Sequence, residues 1–449
     1  MPRPTLLELS QRLARRETTS RALVEESLAR IADPRGEGAR AFLTVYADRS
    51  RAEADAVDAA RAKGEALPRF AGVPVAIKDL FDVADEPTRA GSRAMAEAPP
   101  ATADAETVAL MRRAGFVIVG KTNMTEFAYS GLGLNSHFGT PLNPFERKVG
   151  RIPGGSTSGG AVSVADAMVP ATIGTDTGGS CRIPAAFCGI VGFKPTSSRV
   201  SKRGVVPLSE SLDSVGPLAS SVSCCAVLDS ILSNGPGEDE DSYPASNLCL
   251  GVVEGYVDEK LDASVASAYS ATLTRLSQRG VRLKPVAIPE LEELPRINRN
   301  GGLVGAEAYA WHRPLLETRA EFYDPWVRAR FDVGRGQSAA DYIDLLHARA
   351  RLTAAVHLRS RVFDALVAPT VQIVAPTIES MRDPEISNPT NLLCLRNTAI
   401  GNFLDRPAIS IPCHAPGSAP VGLMLMGETL SDRRLLSIAR GLEYSIRLT

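Results

Sequence analysis

Two glycine-flanked serine clusters, joined by a run of small apolar residues, constrain this chain more than any other feature. The first reads Gly154-Gly155-Ser156-Thr157-Ser158-Gly159-Gly160. The second reads Gly174-Thr175-Asp176-Thr177-Gly178-Gly179-Ser180-Cys181-Arg182-Ile183-Pro184, and the stretch closes at Lys194-Pro195-Thr196. Glycine at this density lets backbone approach other groups closely and adopt positive φ. By composition the first cluster looks like a flexible linker, but a linker has no reason to sit inside a regular strand–helix pattern. A phosphate-binding loop would need G-x-x-x-x-G-K-[ST], or G-x-G-x-x-G after a strand, and neither is present.

That pattern runs along the chain. Apolar residues at helical spacing predict amphipathic helices at 6–13 and 22–31, the second N-capped within Thr18-Thr19-Ser20. Further helices are expected at 52–62, 104–114, 158–169, 222–232, 263–279 and 431–442. Strands are expected at 42–46, 73–77, 117–119, 171–173, 249–253, 281–285, 365–370, 408–411 and 422–426. The alternation argues for a mixed or mainly parallel sheet with helices on both faces. Residues 289–363 are mostly helical and richer in charge, and Asn234 to Ser246 is the expected exposed loop.

Composition narrows the class. With 449 residues the chain is long enough for one large α/β domain or a core plus an insertion, and a net charge of −1 gives no reason to expect nucleic acid as a direct partner. Seven cysteines, an odd number without metal-ligand spacing, read as free thiols in a reducing compartment, with no zinc site. The amino terminus lacks a continuous apolar core and a cleavage site, and no apolar run of about 18 residues occurs. The expected location is the cytoplasm, with no membrane contact.

Within the glycine stretch, Ser180 alone reads as a turn residue. Its setting, Thr177-Gly178-Gly179-Ser180, offers successive backbone N–H groups suited to a developing oxyanion. A serine nucleophile needs a base. The five histidines lie outside both glycine clusters, and G-x-S-x-G is absent. Lys78 is the other base: it ends the apolar run Val75-Ala76-Ile77, and burial would favour its neutral amine. The plainer reading is an exposed lysine at a strand end beside Asp79.

Residues 154–196 closely resemble the signature sequence of the amidase signature family of serine hydrolases. Gly72-Val73-Pro74-Val75-Ala76-Ile77-Lys78-Asp79 resembles that family's lysine motif, and Gly120-Lys121-Thr122-Asn123-Met124-Thr125-Glu126-Phe127-Ala128 its next block. Asn402 and Pro407-Ala408-Ile409-Ser410-Ile411-Pro412 also fit, so the likeness spans about residues 5 to 445. It implies a single α/β domain over 1–449, with a central mixed β-sheet of about eleven strands covered by helices on both faces, a signature core at 154–196 and a helical segment at 289–363 flanking the substrate pocket. It also implies a Ser–cis-Ser–Lys set, with Ser180 as nucleophile, Ser156 as bridge after a cis Gly155–Ser156 peptide, and Lys78 as base. The oxyanion donors would be the N–H groups of Thr177, Gly178, Gly179 and Ser180. No metal or cofactor has a task in that scheme.

Around this set, Asp176 and Arg182 are expected to brace the loop, and Thr175 or Ser158 to support the relay. Tyr129, Ser130 and Gly131, within a loop running to Phe138, are expected to face the pocket, and Arg396 to meet a substrate carboxylate. The implied activity is hydrolysis of a small-molecule carboxamide, or related C–N bond, to a carboxylate plus ammonia or amine, with a homodimer as the preferred assembly. The alternative within the family is the glutaminase subunit of the amidotransferase that makes Gln-tRNA(Gln). Residues 336–343 lack the paired tyrosines expected there, and Asp405-Arg406 replaces the usual Gly-Leu. A non-catalytic binding protein on the same scaffold is the third reading.

Overall fold

The computed structural model describes residues 4–235 and 242–447. Eleven strands form one sheet: β1 Phe42–Val45, β2 Pro74–Lys78, β3 Val117–Thr122, β4 Ala171–Asp176, β5 Val191–Lys194, β6 Ser214–Ala219, β7 Cys249–Glu254, β8 Arg282–Ala287, β9 Ala365–Pro369, β10 Ala408–Pro412 and β11 Gly422–Met426. Their order is β1-β3-β2-β4-β6-β5-β10-β11-β9-β7-β8. The sheet is mixed rather than mainly parallel: β3-β2-β4 and β9-β7-β8 are parallel groups, separated by an antiparallel centre. Nine strands fall where sequence periodicity places them. The two it misses, β5 and β6, lie side by side in the middle of the sheet.

Side chains alternate across the sheet, and the two faces enter different cores. Along β2, Val75 and Ile77 pack with Leu6, Val108 and Leu228, whereas Ala76 packs with Ala161, Val162 and Ala185 on the other side. Lys78, two residues beyond Ala76, belongs by that alternation to the second face. This is the face of helix Ser158–Ala165 and helix Arg182–Cys188, each of which follows one of the glycine-flanked serines.

Helix Ser158–Ala165 is buried at every position. A Cβ on Gly159 would sit 2.2 Å from Ala41 O, so only glycine lets this helix approach the end of helix Gly38–Ala41 so closely. The helix stops short of the expected residue 169, because Ala167 turns the chain at φ 55°. At the amino terminus, Thr5 and Glu8 form a capping box on helix Leu6–Ala14, and Thr19 caps helix Ser20–Ala32. Of the loop expected at Asn234 to Ser246, residues 236–241 lie outside the described residues, and Asn234 and Tyr243 are exposed. Among the described residues, no helix is long and apolar enough to cross a membrane.

Candidate active site

The carboxyl ends of three parallel neighbours converge. Lys78 ends β2 opposite Thr122 of β3, and Ile77 pairs with Ile173 of β4, which runs on to Thr175 and Asp176. Open α/β sheets bind ligands at this edge. Every residue of β2 is buried, so Lys78 arrives with its ammonium group stripped of water.

Lys78 Nζ lies 2.7 Å from Ser156 Oγ and 2.9 Å from Thr175 Oγ1. Among the described residues no carboxylate pairs with it. Burial pushes its pKa down to about 8, against a weaker opposing pull from Cys181, Asp213 and Asp176. Of the two hydroxyls expected near the relay, Thr175 thus lies beside Lys78, while the buried Ser158 hydroxyl finds no partner among the described residues.

Ser156 is fully buried and follows a cis Gly155–Ser156 peptide. Backbone grips that peptide from both sides: Thr125 N donates to Ser156 O at 3.0 Å, and Gly155 N donates to Gly131 O at 2.8 Å. The second serine is brought alongside by Thr157 N, which donates to Ser180 O at 3.3 Å. Ser180 retains 4% exposure, and its hydroxyl has no hydrogen-bond partner among the described residues.

The loop before Ser180 is turned by its carbonyls. Asp176 O accepts from Asn402 Nδ2 and Ser214 Oγ, Gly178 O accepts from Thr398 Oγ1 at 2.6 Å, and Gly179 O accepts from Ile183 N at 2.7 Å. In a trans peptide the N–H points opposite to the C=O. The amides of Thr177, Gly179 and Ser180 therefore point away from the scaffold that holds those oxygens. None of the four N–H groups from Thr177 to Ser180 has an acceptor among the described residues. Gly179 has φ 145°, and a Cβ there would lie 2.3 Å from Thr398 Oγ1.

Beneath this loop lies a buried ion pair. Arg182 and Asp176 are both fully buried, 2.8 Å apart, and Arg182 also donates to Asn402 Oδ1 and Thr398 O. Burial alone would raise the Asp176 carboxyl, but the Arg182 guanidinium outweighs it and holds the pKa at about 2. These residues brace the loop, as their place in the motif leads one to expect. Asp213, which accepts from Thr177 Oγ1, together with Thr398 and Asn391, carries no mark in the sequence. Nothing local distinguishes them, because only the fold brings Asp213 and Thr398 to this loop and Asn391 to Ser130 and Gly131.

Of the expected pocket residues, Ser130 Oγ and Gly131 N both donate to Asn391 Oδ1, at 2.9 and 2.8 Å. The Tyr129 ring packs 5.0 Å from Phe331, and its carbonyl accepts from Arg330. The Tyr129 hydroxyl has no hydrogen-bond partner among the described residues. The Arg396 guanidinium stacks 4.0 Å from the Tyr256 ring, donates to Tyr256 O and pairs with Glu259. An arginine that nothing local in the sequence marks, Arg330, lies beside Tyr129 on helix Pro325–Arg335 within the 289–363 segment. It is half-buried, bonded to Tyr129 O and free of any carboxylate partner among the described residues. Among those residues no cluster of three or more His, Cys, Asp or Glu could hold a metal ion.

This combination of sheet, glycine loops and serine–lysine cluster is that of a hydrolase acting on C–N bonds. The chain belongs to the amidase family, whose sequence model, Amidase, matches residues 22–436. It is 36% identical over 455 residues to a 2-amino-5-chloromuconic acid deaminase of Comamonas testosteroni, covering 98% of this chain and 96% of that one. It is 36% identical over 479 residues to a glutamyl-tRNA(Gln) amidotransferase subunit of Anaeromyxobacter sp. (strain K), with the same coverage. Among solved structures, an amidase crystal structure superimposes with a TM-score of 0.90 at 31% identity, covering 99% of this chain and all of the other.

Proposed function

We propose that this chain is a free-standing amidase that hydrolyses a small carboxamide carrying a carboxylate, through an acyl-enzyme on Ser180. The observation that carries the reading is the buried Lys78, bonded by no carboxylate among the described residues and 2.7 Å from Ser156 Oγ. In this scheme neutral Lys78 takes the Ser156 proton as Ser156 takes that of Ser180, and Ser180 Oγ attacks the amide carbon. The N–H groups of Thr177, Gly178, Gly179 and Ser180 receive the oxyanion. The relay runs back to protonate the departing nitrogen, the C–N bond breaks, and ammonia or an amine leaves. Water then gives its proton to the same relay, attacks the acyl-enzyme and releases the carboxylate, regenerating Ser180. The 289–363 segment flanks the pocket in this reading, through Arg330 and Phe331.

Arg330 supports the anionic substrate class: burial disfavours its charge, Asp324 pulls on it only through space, and among the described residues no carboxylate bonds it, so a ligand carboxylate would complete it. The relative named for 2-amino-5-chloromuconic acid acts, by that name, on an acid. A second reading, as a glutaminase subunit, is favoured by the 36% identity to a component of the glutamyl-tRNA(Gln) amidotransferase. Against it, Arg406 is built into this fold: it is buried and donates to Ser360 Oγ at 2.8 Å and to Glu428 at 3.0 Å. The seven cysteines are buried free thiols, which suits the cytoplasm.

The test is ammonia release by the purified chain from a series of ω-carbamoyl carboxylates, their neutral counterparts and glutamine. We expect turnover of a carbamoyl carboxylate with no partner protein added, and loss of about a thousandfold or more in Ser180→Ala. Turnover of glutamine alone, appearing only with partner subunits, would support the second reading instead.

A further inference from the structure

Glu126 is 1% exposed, and its carboxylate gathers three separate parts of the chain. Ser92 Oγ donates to Oε1 at 2.6 Å, His137 Nε2 lies 2.8 Å from the same oxygen, and Asp324 N donates to Oε2 at 2.8 Å. Asp324 is the N-cap of helix Pro325–Arg335 and accepts from Trp326 N and Val327 N, so the bond to Glu126 fixes the start of that helix. Ser136 Oγ reaches the same Asp324 side chain. Two turns further along, the helix presents Arg330 and Phe331 to Tyr129.

The chain leaving Glu126 leads back to the same place. Phe127 and Ala128 both take positive φ, at 48° and 61°, a conformation uncommon for residues with a Cβ. That turn delivers Tyr129, while Phe127 packs on Tyr323 and Phe331. Glu126 therefore holds both partners of the Tyr129–Arg330 contact, one through its own backbone and the other through the helix cap. Its side chain makes none of the bonds at the Gly155–Ser156 segment, where Thr125 N donates to Ser156 O, Gly155 N donates to Gly131 O and Lys78 Nζ meets Ser156 Oγ.

We propose that Glu126 is a positioning residue for substrate recognition, setting Arg330 against Tyr129 so that the guanidinium meets the substrate carboxylate. The inference rests on the anionic-amide reading above. Its signature is a change in KM for anionic substrates, with chemistry at Ser180 left intact.

The test measures kcat and KM for the best ω-carbamoyl carboxylate and for its neutral counterpart, in wild type, Arg330→Met and Glu126→Gln. A carboxamide at this position cannot accept the three bonds as the carboxylate does. Glu126→Gln is expected to raise KM for the anionic amide about tenfold, with kcat within about threefold and the neutral amide unaffected. If Glu126→Gln does not fold, Ser92→Ala and His137→Asn each remove one donor and are expected to give smaller shifts of the same kind. A wild type that does not prefer the anion overturns the anionic reading and this inference with it. A wild type that prefers it through Arg330, while the Glu126 and donor variants keep their KM or lose kcat equally on both substrates, overturns this inference alone.

Discussion

Lys78 Nζ and Ser156 Oγ are 2.7 Å apart with both residues fully buried, and a second hydroxyl, Thr175 Oγ1, lies 2.9 Å from the lysine. An ammonium group in that setting has two hydroxyl oxygens as neighbours and, among the described residues, no bonded counter-ion. Burial therefore favours the neutral amine, the form able to accept a proton.

The first consequence is a pH profile. With its pKa at about 8, Lys78 is neutral in only about a tenth of molecules at pH 7. We expect kcat/KM to rise with pH to a plateau above about 8. Measuring kcat/KM from pH 6 to 10 checks this, and a flat profile through that window would speak against Lys78 as the base.

Stability has its own pH dependence. Lys194, also fully buried, has its pKa lowered to about 8 chiefly by burial and donates to Pro195 O. For both lysines the folded value lies below the ordinary 10.5, so between about 8 and 10.5 the unfolded chain holds more protons. Stability contributed by these groups therefore rises with pH across that window and is lost as pH falls through about 8. Lys194→Met removes one such group and is expected to stabilise the protein by about 2 kcal/mol at pH 7, after losing the bond to Pro195 O. Thermal unfolding at pH 7 and pH 10 tests both sign and window: the variant's advantage should shrink at the higher pH.

The glycine loop makes a separate prediction. Gly179→Ala places a methyl 2.3 Å from Thr398 Oγ1 in a backbone conformation that alanine rarely adopts. We expect kcat to fall about a hundredfold or more with KM little changed. Thr398→Val, which frees Gly178 O without adding bulk to the loop, should lower kcat less. Steady-state kinetics of the two variants check the order.

The brace beneath the loop is structural. Arg182→Met leaves the Asp176 carboxylate buried without its partner, a change that costs about 3–5 kcal/mol. A lowered thermal transition is expected, and an unchanged one would mean the pair does not support the loop.

How much of this could be read from the chain depends on how local the signal is. Lys78, Ser156, Ser180, Asp176 and Arg182 sit in dense motifs, and the structure brings all five together. Strand β6 carries Gly216 and Pro217, residues depleted in strands, and its periodicity is correspondingly poor. A Cβ on Gly216 would lie 2.1 Å from Phe193 O, so the glycine reflects close packing against β5. Thr398 reaches the second glycine loop, and Asn391 the Ser130–Gly131 segment, from more than 200 residues away. No window of sequence contains both ends of such a contact. Arg330 and Arg396 are alike as sequence, and only their partners distinguish them: Glu259 and Tyr256 occupy one, while the other meets a backbone carbonyl.

The measurement that tests the central claim most directly is covalent labelling with a fluorophosphonate, followed by intact-protein mass and peptide mapping, which needs no knowledge of the substrate. We predict one adduct, on Ser180, absent in Ser180→Ala and formed about a thousandfold more slowly in a folded Lys78→Ala variant. An adduct on another residue, or undiminished labelling of Ser180 without Lys78, would contradict it.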